Sequence, residues 1–120
     1  MTKETRSPNK RQLGREAEDR AADHLLRKGY TLVTRRYKGR RGEIDLICLD
    51  GEQLVFVEVK AWTAPGYSPE EAIGLEKALA LRRAADEYLA KVSGDREHRF
   101  DLIAIDRKGL RHHVNFLAND

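Results

Sequence analysis

The chain has 120 residues and a net charge of +3, with 40% hydrophobic and 36% charged residues. This length fits one domain with a buried core, and the ordered apolar runs exclude a disordered chain. No apolar run approaches the roughly 18–20 residues of a membrane span, no secretory signal is visible, and the single cysteine, Cys48, cannot form an internal disulfide. We therefore expect a cytoplasmic protein without membrane contact, in which Cys48 is a small buried hydrophobic residue.

The positive charge is concentrated in the first third of the chain. Residues 1–42 hold 13 Lys and Arg against 5 Asp and Glu, a net +8, whereas residues 43–120 hold 10 against 15, a net −5. This asymmetry favours a polyanionic partner for the first segment, but a basic run is equally typical of a solvated surface. From charge alone, both interpretations stay open.

The first elements are a helix and a strand. Residues 1–12 are predicted to form a flexible arm and residues 13–120 a single domain. Apolar residues at helical spacing predict a helix over Leu13–Lys28 that ends at Gly29. Residues 30–37 are rich in β-branched and aromatic types and predict a strand, which is followed by a basic loop at 38–42.

A hairpin follows the basic loop. Strands are predicted at 43–49 and 53–61, and the Asp50-Gly51 pair between them is a strong turn signal. The second strand is apolar on both faces, which is typical of a central strand covered on both sides.

The second half of the chain is predicted to return to the sheet through a helix. Ser68 as N-cap, Pro69 at the first position and Glu71 as capping-box partner predict the helix start. The predicted helix extends to Val92, with a bend at Gly74 and an end at Gly94. Strands at 99–105 and 112–117 complete the order αβββαβ(β), so we expect an α/β fold with a mixed central sheet.

Three charged residues interrupt the apolar hairpin strands. Glu58 and Lys60 share one face of their strand because side chains alternate with period two, and Asp45 lies on the neighbouring strand. Burying an unpaired charge costs several kcal/mol, which a partner charge or a metal ion would offset. On an exposed strand face, however, the same residues would be ordinary solubilising groups.

Two carboxylates and a lysine also match the chemistry of a phosphodiesterase site. Carboxylate oxygens are ligands that Mg²⁺ prefers, with Mn²⁺ as a substitute, and the bound ion can activate water and stabilise the leaving oxygen. Lys60 would position the water, assist its deprotonation or neutralise charge in the transition state, and the sequence does not choose among these roles.

Several other residues allow two interpretations. Glu18, beside the apolar stripe of the first helix, either reaches toward the metal or is an edge charge. Trp62 directly follows the second hairpin strand, where packing is favoured over base stacking. The four histidines lack the spacing of a zinc site and are interpreted as structural or surface residues: His24, His98, His112 and His113.

The spacing of Asp45 and Glu58-Val59-Lys60 resembles the PD-(D/E)xK nucleases, and more closely the YraN family of endonuclease-like proteins, relatives of archaeal Holliday junction resolvases. The matching segments cover nearly the whole domain: Gly14–Glu18 with Ala21, GEIDLI at Gly42–Ile47, LVFVEVK at Leu54–Lys60, SPEEAI at Ser68–Ile73, Lys77, and RFDLIAID at Arg99–Asp106. GEIDLI followed by LVFVEVK is a specific signature, unlike a bare E-x-K.

The resemblance implies a restriction-endonuclease-like α/β/α fold and a divalent metal held by Asp45, Glu58 and the Val59 carbonyl. It implies that Lys60 is the catalytic lysine, that Glu18 is the helix glutamate of resolvase-type members, and that Lys77 contacts phosphate.

The leading hypothesis is therefore a Mg²⁺-dependent endonuclease acting on structured or branched DNA, and the cutting of two strands would favour a homodimer. Phosphate contacts are expected from five basic residues: Arg35, Arg36, Lys38, Arg40 and Arg41. The alternatives are a nucleic-acid-binding module with weak or no cleavage, and a protein-interaction domain that uses the apolar residues after Lys77.

Overall fold

The computed structural model describes residues 10–62, 64–92 and 96–118. They form five strands, two α-helices and one 3-10 turn: α1 Lys10–Arg27, β1 Thr31–Lys38, β2 Glu43–Asp50, β3 Gln53–Ala61, the 3-10 turn Pro69–Ala72, α2 Leu75–Val92, β4 His98–Asp106 and β5 Gly109–His113. Within these ranges, no helix is long and apolar enough to cross a membrane.

The strands form one mixed sheet in chain order, β1-β2-β3-β4-β5. Only β3 and β4 run parallel, with α2 as the crossover between them, and the other neighbours are antiparallel. Asp50 pairs with Gln53 across the predicted hairpin turn, where Gly51 adopts a φ of 62° that glycine accommodates without strain. The mixed α/β sheet expected from the sequence is confirmed.

One helix covers each face of the sheet, which gives three layers. The core under α1 includes Ala21, Leu25, Leu46, Val57 and Ile103. The core under α2 includes Ile47, Phe56, Leu81, Ala85 and Phe100. Because β3 contributes to both cores, it is the central covered strand that its apolar pattern predicts.

Cys48 lies in the α1 core and is 1% exposed. Burial, with a further contribution from Asp101, raises the pKa of its thiol to about 12. Cys48 is therefore the inert hydrophobic residue that the sequence predicts.

Two predicted boundaries near the chain ends are wrong. Residues 10–12, assigned to the flexible arm, belong to α1, while residues 1–9 lie outside the described ranges. The last strand is Gly109–His113 rather than 112–117, because a turn at Gly109, with a φ of 120°, starts it earlier. The chain then bends at Asn115, where φ is 58°, and the Phe116 N–H donates to the Phe100 carbonyl at 2.9 Å.

The predicted second helix is interrupted. Pro69–Ala72 is a separate 3-10 turn, and α2 begins only at Leu75. The helix is broken because the backbone of Ile73 is extended, with φ −93° and ψ 94°. The predicted continuous helix with a bend at Gly74 is therefore wrong at this point. The Ser68 N–H donates to the Glu71 carboxylate at 3.4 Å, as the capping pattern predicts. Gly94, the predicted helix end, lies outside the described residues.

Candidate functional site

The site lies where the hairpin strands β2 and β3 separate. Their paired residues end at Leu46 and Val57, and the same register sets Asp45 opposite Glu58. Beyond that point the Val59 N–H donates to Asp45 Oδ2 at 2.8 Å. The Asp45 carboxylate thus takes the place of the backbone carbonyl that would accept the Val59 N–H in a continued strand pair. This hydrogen bond holds Asp45 next to Glu58. The structure brings Asp45 and Glu58 together.

Glu58 is a buried carboxylate with incomplete hydrogen bonding. It is 3% exposed, its Oε2 lies 3.3 Å from Lys77 Nζ, and its Oε1 is buried with no hydrogen-bond partner among the residues that the structure describes. Burial first, and the charge of Asp45 second, raise the pKa of Glu58 to about 8, although Lys77 opposes the change. The arrangement is therefore costly in the absence of a further cation.

The two carboxylates fit a divalent metal ion. The unpartnered Glu58 Oε1 offers a hard oxygen ligand, and Asp45 supplies more beside it. In the described ranges, no group of three or more His, Cys, Asp or Glu residues is arranged to hold a metal. A site built on two carboxylates suits Mg²⁺, which keeps several water ligands when bound to proteins.

A cavity of about 490 Å³ opens beside this pair, lined among others by Glu18, Asp45, Val59, Lys60 and Trp62. Lys60 makes no ion pair or hydrogen bond with any other residue that the structure describes. Glu58 does not line this cavity, since its carboxylate is directed to Lys77 of α2. Asp45 and Lys60 therefore share the cavity, whereas Glu58 interacts with Asp45 and Lys77 outside its lining.

Glu18 of α1 also lines the cavity and is held by arginines of β1. Arg36 Nε donates to Glu18 Oε1 at 3.1 Å, and the Arg35 guanidinium lies 3.6 Å from the same oxygen and 2.7 Å from Asp19. Glu18 thus faces the site but forms no three-carboxylate cluster with Asp45 and Glu58.

Arg36 has an unusual backbone. Its φ is 53°, a left-handed value that costs a non-glycine residue roughly 1 kcal/mol or more, and the β1–β2 register sets it opposite Asp45. The ion pair with Glu18 offsets part of that cost. Two of the five basic residues predicted to bind phosphate, Arg35 and Arg36, are therefore already engaged by acidic side chains.

The basic loop between β1 and β2 is fixed by a distant glutamate. The Gly39 N–H donates to the Gly42 carbonyl at 2.8 Å, and Glu87 of α2 accepts the backbone N–H groups of Arg40 at 2.8 Å and Arg41 at 3.2 Å. Both arginines and Lys38 are exposed. Glu87 was missed because a helix glutamate some 46 residues away carries no sequence signal for this contact.

Gly42 allows the loop to approach α2. A Cβ at this position would lie 2.5 Å from the Ala80 carbonyl oxygen, closer than any real contact. The glycine that opens the GEIDLI segment therefore has a packing role. It lies immediately before β2 and three residues before Asp45 in the chain.

A second polar cluster, also missed, joins β4 to the chain end. Asp101 is fully buried and accepts hydrogen bonds from Arg99 Nε at 3.0 Å, His112 Nε2 at 2.8 Å and the Asn115 N–H at 2.9 Å. Burial alone would raise the pKa of Asp101, but the bonds from His112 and Arg99 hold it below its usual value. These partners satisfy the carboxylate, and His112 is structural, as predicted.

The architecture is that of an α/β protein with a restriction-endonuclease-like arrangement, in which a hairpin of a mixed sheet carries acidic residues between two helix layers. The chain belongs to the uncharacterised protein family UPF0102, also called YraN, whose profile matches residues 17–105.

Curated relatives support this membership. A UPF0102 protein of Carboxydothermus hydrogenoformans is 36% identical over 92% of this chain and 96% of its own length. One from Halorhodospira halophila is 42% identical over 88% and 87%, and one from Chlorobium phaeobacteroides is 44% identical over 78% and 75%. The family is shown over almost the full chain.

Proposed function

We propose that this protein is a metal-dependent endonuclease that hydrolyses phosphodiester bonds in structured or branched DNA. The observation that carries the proposal is the position of Asp45 beside the buried Glu58, whose Oε1 has no hydrogen-bond partner among the described residues, together with the cavity that Asp45 and Lys60 line. A buried carboxylate with incomplete hydrogen bonding lowers stability, so the presence of Glu58 here favours a functional over a structural role.

Asp45 and Glu58 would hold Mg²⁺, with Mn²⁺ as a substitute, and the Val59 carbonyl is the further ligand that the family resemblance implies. When bound, such an ion supplies an activated water and stabilises the leaving oxygen. Lys60 would stabilise the charge that develops on the phosphoryl group, because it lines the same cavity as Asp45. Lys77 orients Glu58 through its ion pair and can exchange that contact for a phosphate oxygen.

DNA would be held by its backbone. Lys38, Arg40 and Arg41 are exposed around the basic loop, and Glu87 keeps the loop in place through main-chain contacts that leave the side chains available. Such contacts give binding that is salt-sensitive and independent of sequence. Cutting of two strands in a branched substrate would be served by a homodimer.

The second candidate is a nucleic-acid-binding module that does not cleave. The ion pair between Lys77 and Glu58 favours it, because a cationic side chain already occupies one oxygen of the carboxylate that would bind metal. The apolar Ala78–Leu81 segment after Lys77 provides no further polar group there.

Cleavage assays separate the two candidates. Wild type, Asp45→Ala, Glu58→Ala and Lys60→Ala are incubated with linear, single-stranded, flapped and four-way DNA in Mg²⁺ or EDTA, with Lys108→Ala as an exposed control. The endonuclease requires metal-dependent cutting by wild type and Lys108→Ala and at least a hundredfold loss in the three site variants. DNA binding without cutting supports the second candidate, and equal residual cutting by all five proteins would indicate contamination.

A further inference from the structure

Trp62 has an exposed indole ring on a fixed backbone. Trp62 follows β3, and its backbone N–H donates to the Ile105 carbonyl at 3.1 Å. The residue as a whole is 37% exposed. Tyr67, which is 64% exposed, lies beside it with ring centroids 6.3 Å apart and an interplanar angle of 63°. Packing explains only part of this arrangement, since two large aromatic side chains remain in contact with solvent.

The ring lies at the edge of the candidate site. Trp62 lines the 490 Å³ cavity that contains Asp45 and Lys60. It also lines a neighbouring cavity of about 230 Å³, whose charged residues are Arg20 and Arg107 together with Glu16 and Asp106. The Trp62 side chain therefore adjoins two arginines and their acidic neighbours in one cavity, and the cationic Lys60 of the proposed cleavage site in the other.

We propose that Trp62, with Tyr67 beside it, stacks an unpaired nucleobase of the DNA strand next to the bond to be cut. Nucleic-acid proteins that bind single strands combine cationic grooves with aromatic platforms in this way. A base inside a continuous duplex has both faces covered by its neighbours, so only an unpaired or displaced base can reach the ring. The inference rests on the proposed function and deepens it: the substrate class is DNA with a single-stranded segment at the cleavage point.

The chain contains a single tryptophan, so its intrinsic emission reports on this position alone. The protein is titrated with a twelve-nucleotide oligothymidylate in EDTA, which prevents cleavage. We expect this oligonucleotide to quench the Trp62 emission and a blunt duplex of the same length to leave it unchanged. In parallel, anisotropy of the labelled oligothymidylate measures affinity for wild type, Trp62→Phe and Trp62→Ala. Loss of the stacking surface should weaken binding about 10- to 100-fold in Trp62→Ala, whereas Trp62→Phe retains most of the affinity.

Leu75→Ala is the matched control, because Leu75 is a large apolar residue of α2 that is 75% exposed and outside both cavities. Wild-type affinity in Trp62→Ala, or emission that is unchanged at saturating oligonucleotide, would overturn the stacking proposal. Emission that responds only to protein concentration would assign the ring to an interface between two copies and would also overturn it. Because these readouts need no cleavage, stacking and nuclease activity can fail independently.

Discussion

The carboxylate of Asp45 accepts the backbone N–H of Val59 at 2.8 Å, across the point where two hairpin strands separate. This one contact ties the architecture to the candidate site, because it fixes an acidic side chain beside the buried Glu58.

Two substitutions at Asp45 should separate its charge from its hydrogen bond. Asparagine keeps an oxygen that can accept the Val59 N–H. The free energy of unfolding of Asp45→Asn should therefore lie within about 0.5 kcal/mol of the wild-type value. Alanine leaves that N–H without a partner, so Asp45→Ala should lose roughly 1–3 kcal/mol. Urea denaturation measures both. Equal stability of the two variants would show that the contact does not support the strand junction, while both should lose DNA cleavage.

The glycine at the basic loop should be intolerant of a side chain. Gly42→Ala places a methyl group 2.5 Å from the Ala80 carbonyl oxygen and should reduce the free energy of unfolding by about 2–4 kcal/mol. Gly14→Ala is the matched control, since a Cβ in that α1 position meets nothing within 4 Å and should stabilise the helix by about 0.5–1 kcal/mol. If both variants unfold like wild type, the loop does not pack against α2 as described.

Removal of the two loop arginines should weaken DNA binding and reduce its salt dependence. Each phosphate contact contributes roughly 0.9 to the slope of log affinity against log salt, so Arg40→Ala/Arg41→Ala should flatten the slope by about two. Arg27→Ala/Arg83→Ala removes two exposed arginines elsewhere and serves as the control. Anisotropy titrations at several salt concentrations measure the slope. If the loop variant keeps the wild-type slope, the loop lies outside the interface.

The stability contributed by Glu70 should depend on pH. Arg111 first, and His113 as well, lower the pKa of Glu70 from 4.5 to about 2, and Arg111 also pairs with Asp106. A lowered pKa means that the stabilisation is complete above about pH 4.5 and is lost as the pH falls toward 2. Glu70→Gln should therefore be less stable than wild type by about 1–2 kcal/mol at pH 7 and by less at pH 3.5.

Urea denaturation of both proteins at the two pH values tests this dependence, with Glu76→Gln as an exposed control in the first turn of α2. A difference that is constant, or that grows as the pH falls, would contradict the assigned role of the Glu70–Arg111 pair.

The parts of the fold that follow local rules could be predicted from the sequence. Alternation in the hairpin strands and the Asp50-Gly51 turn set a register that brings Asp45 opposite Glu58. The interruption of the second helix was predicted only as a bend. The same sequence around Gly74 is compatible with a bent helix and with a full break before Leu75.

Contacts between distant segments carried no such signal. Three kinds of contact depend on how helices and strands pack. They are the hydrogen bonds of Glu87 to the basic loop, the ion pair of Glu18 with Arg36, and the hydrogen bond of Asp101 with His112. The separation of Glu58 from the cavity of Lys60 has the same origin, since Lys77 of α2 draws the carboxylate toward the helix.

The central claim is that Asp45 and Glu58 form one divalent-metal site, and thermal unfolding of wild type and Glu58→Gln with and without Mn²⁺ tests it most directly. Without metal at neutral pH, the two proteins should unfold at similar temperatures, because the raised pKa of about 8 leaves the Glu58 carboxyl largely neutral. Saturating Mn²⁺ should raise the unfolding temperature of wild type and leave that of Glu58→Gln unchanged. An equal increase in both proteins, or none in wild type, would contradict the metal site.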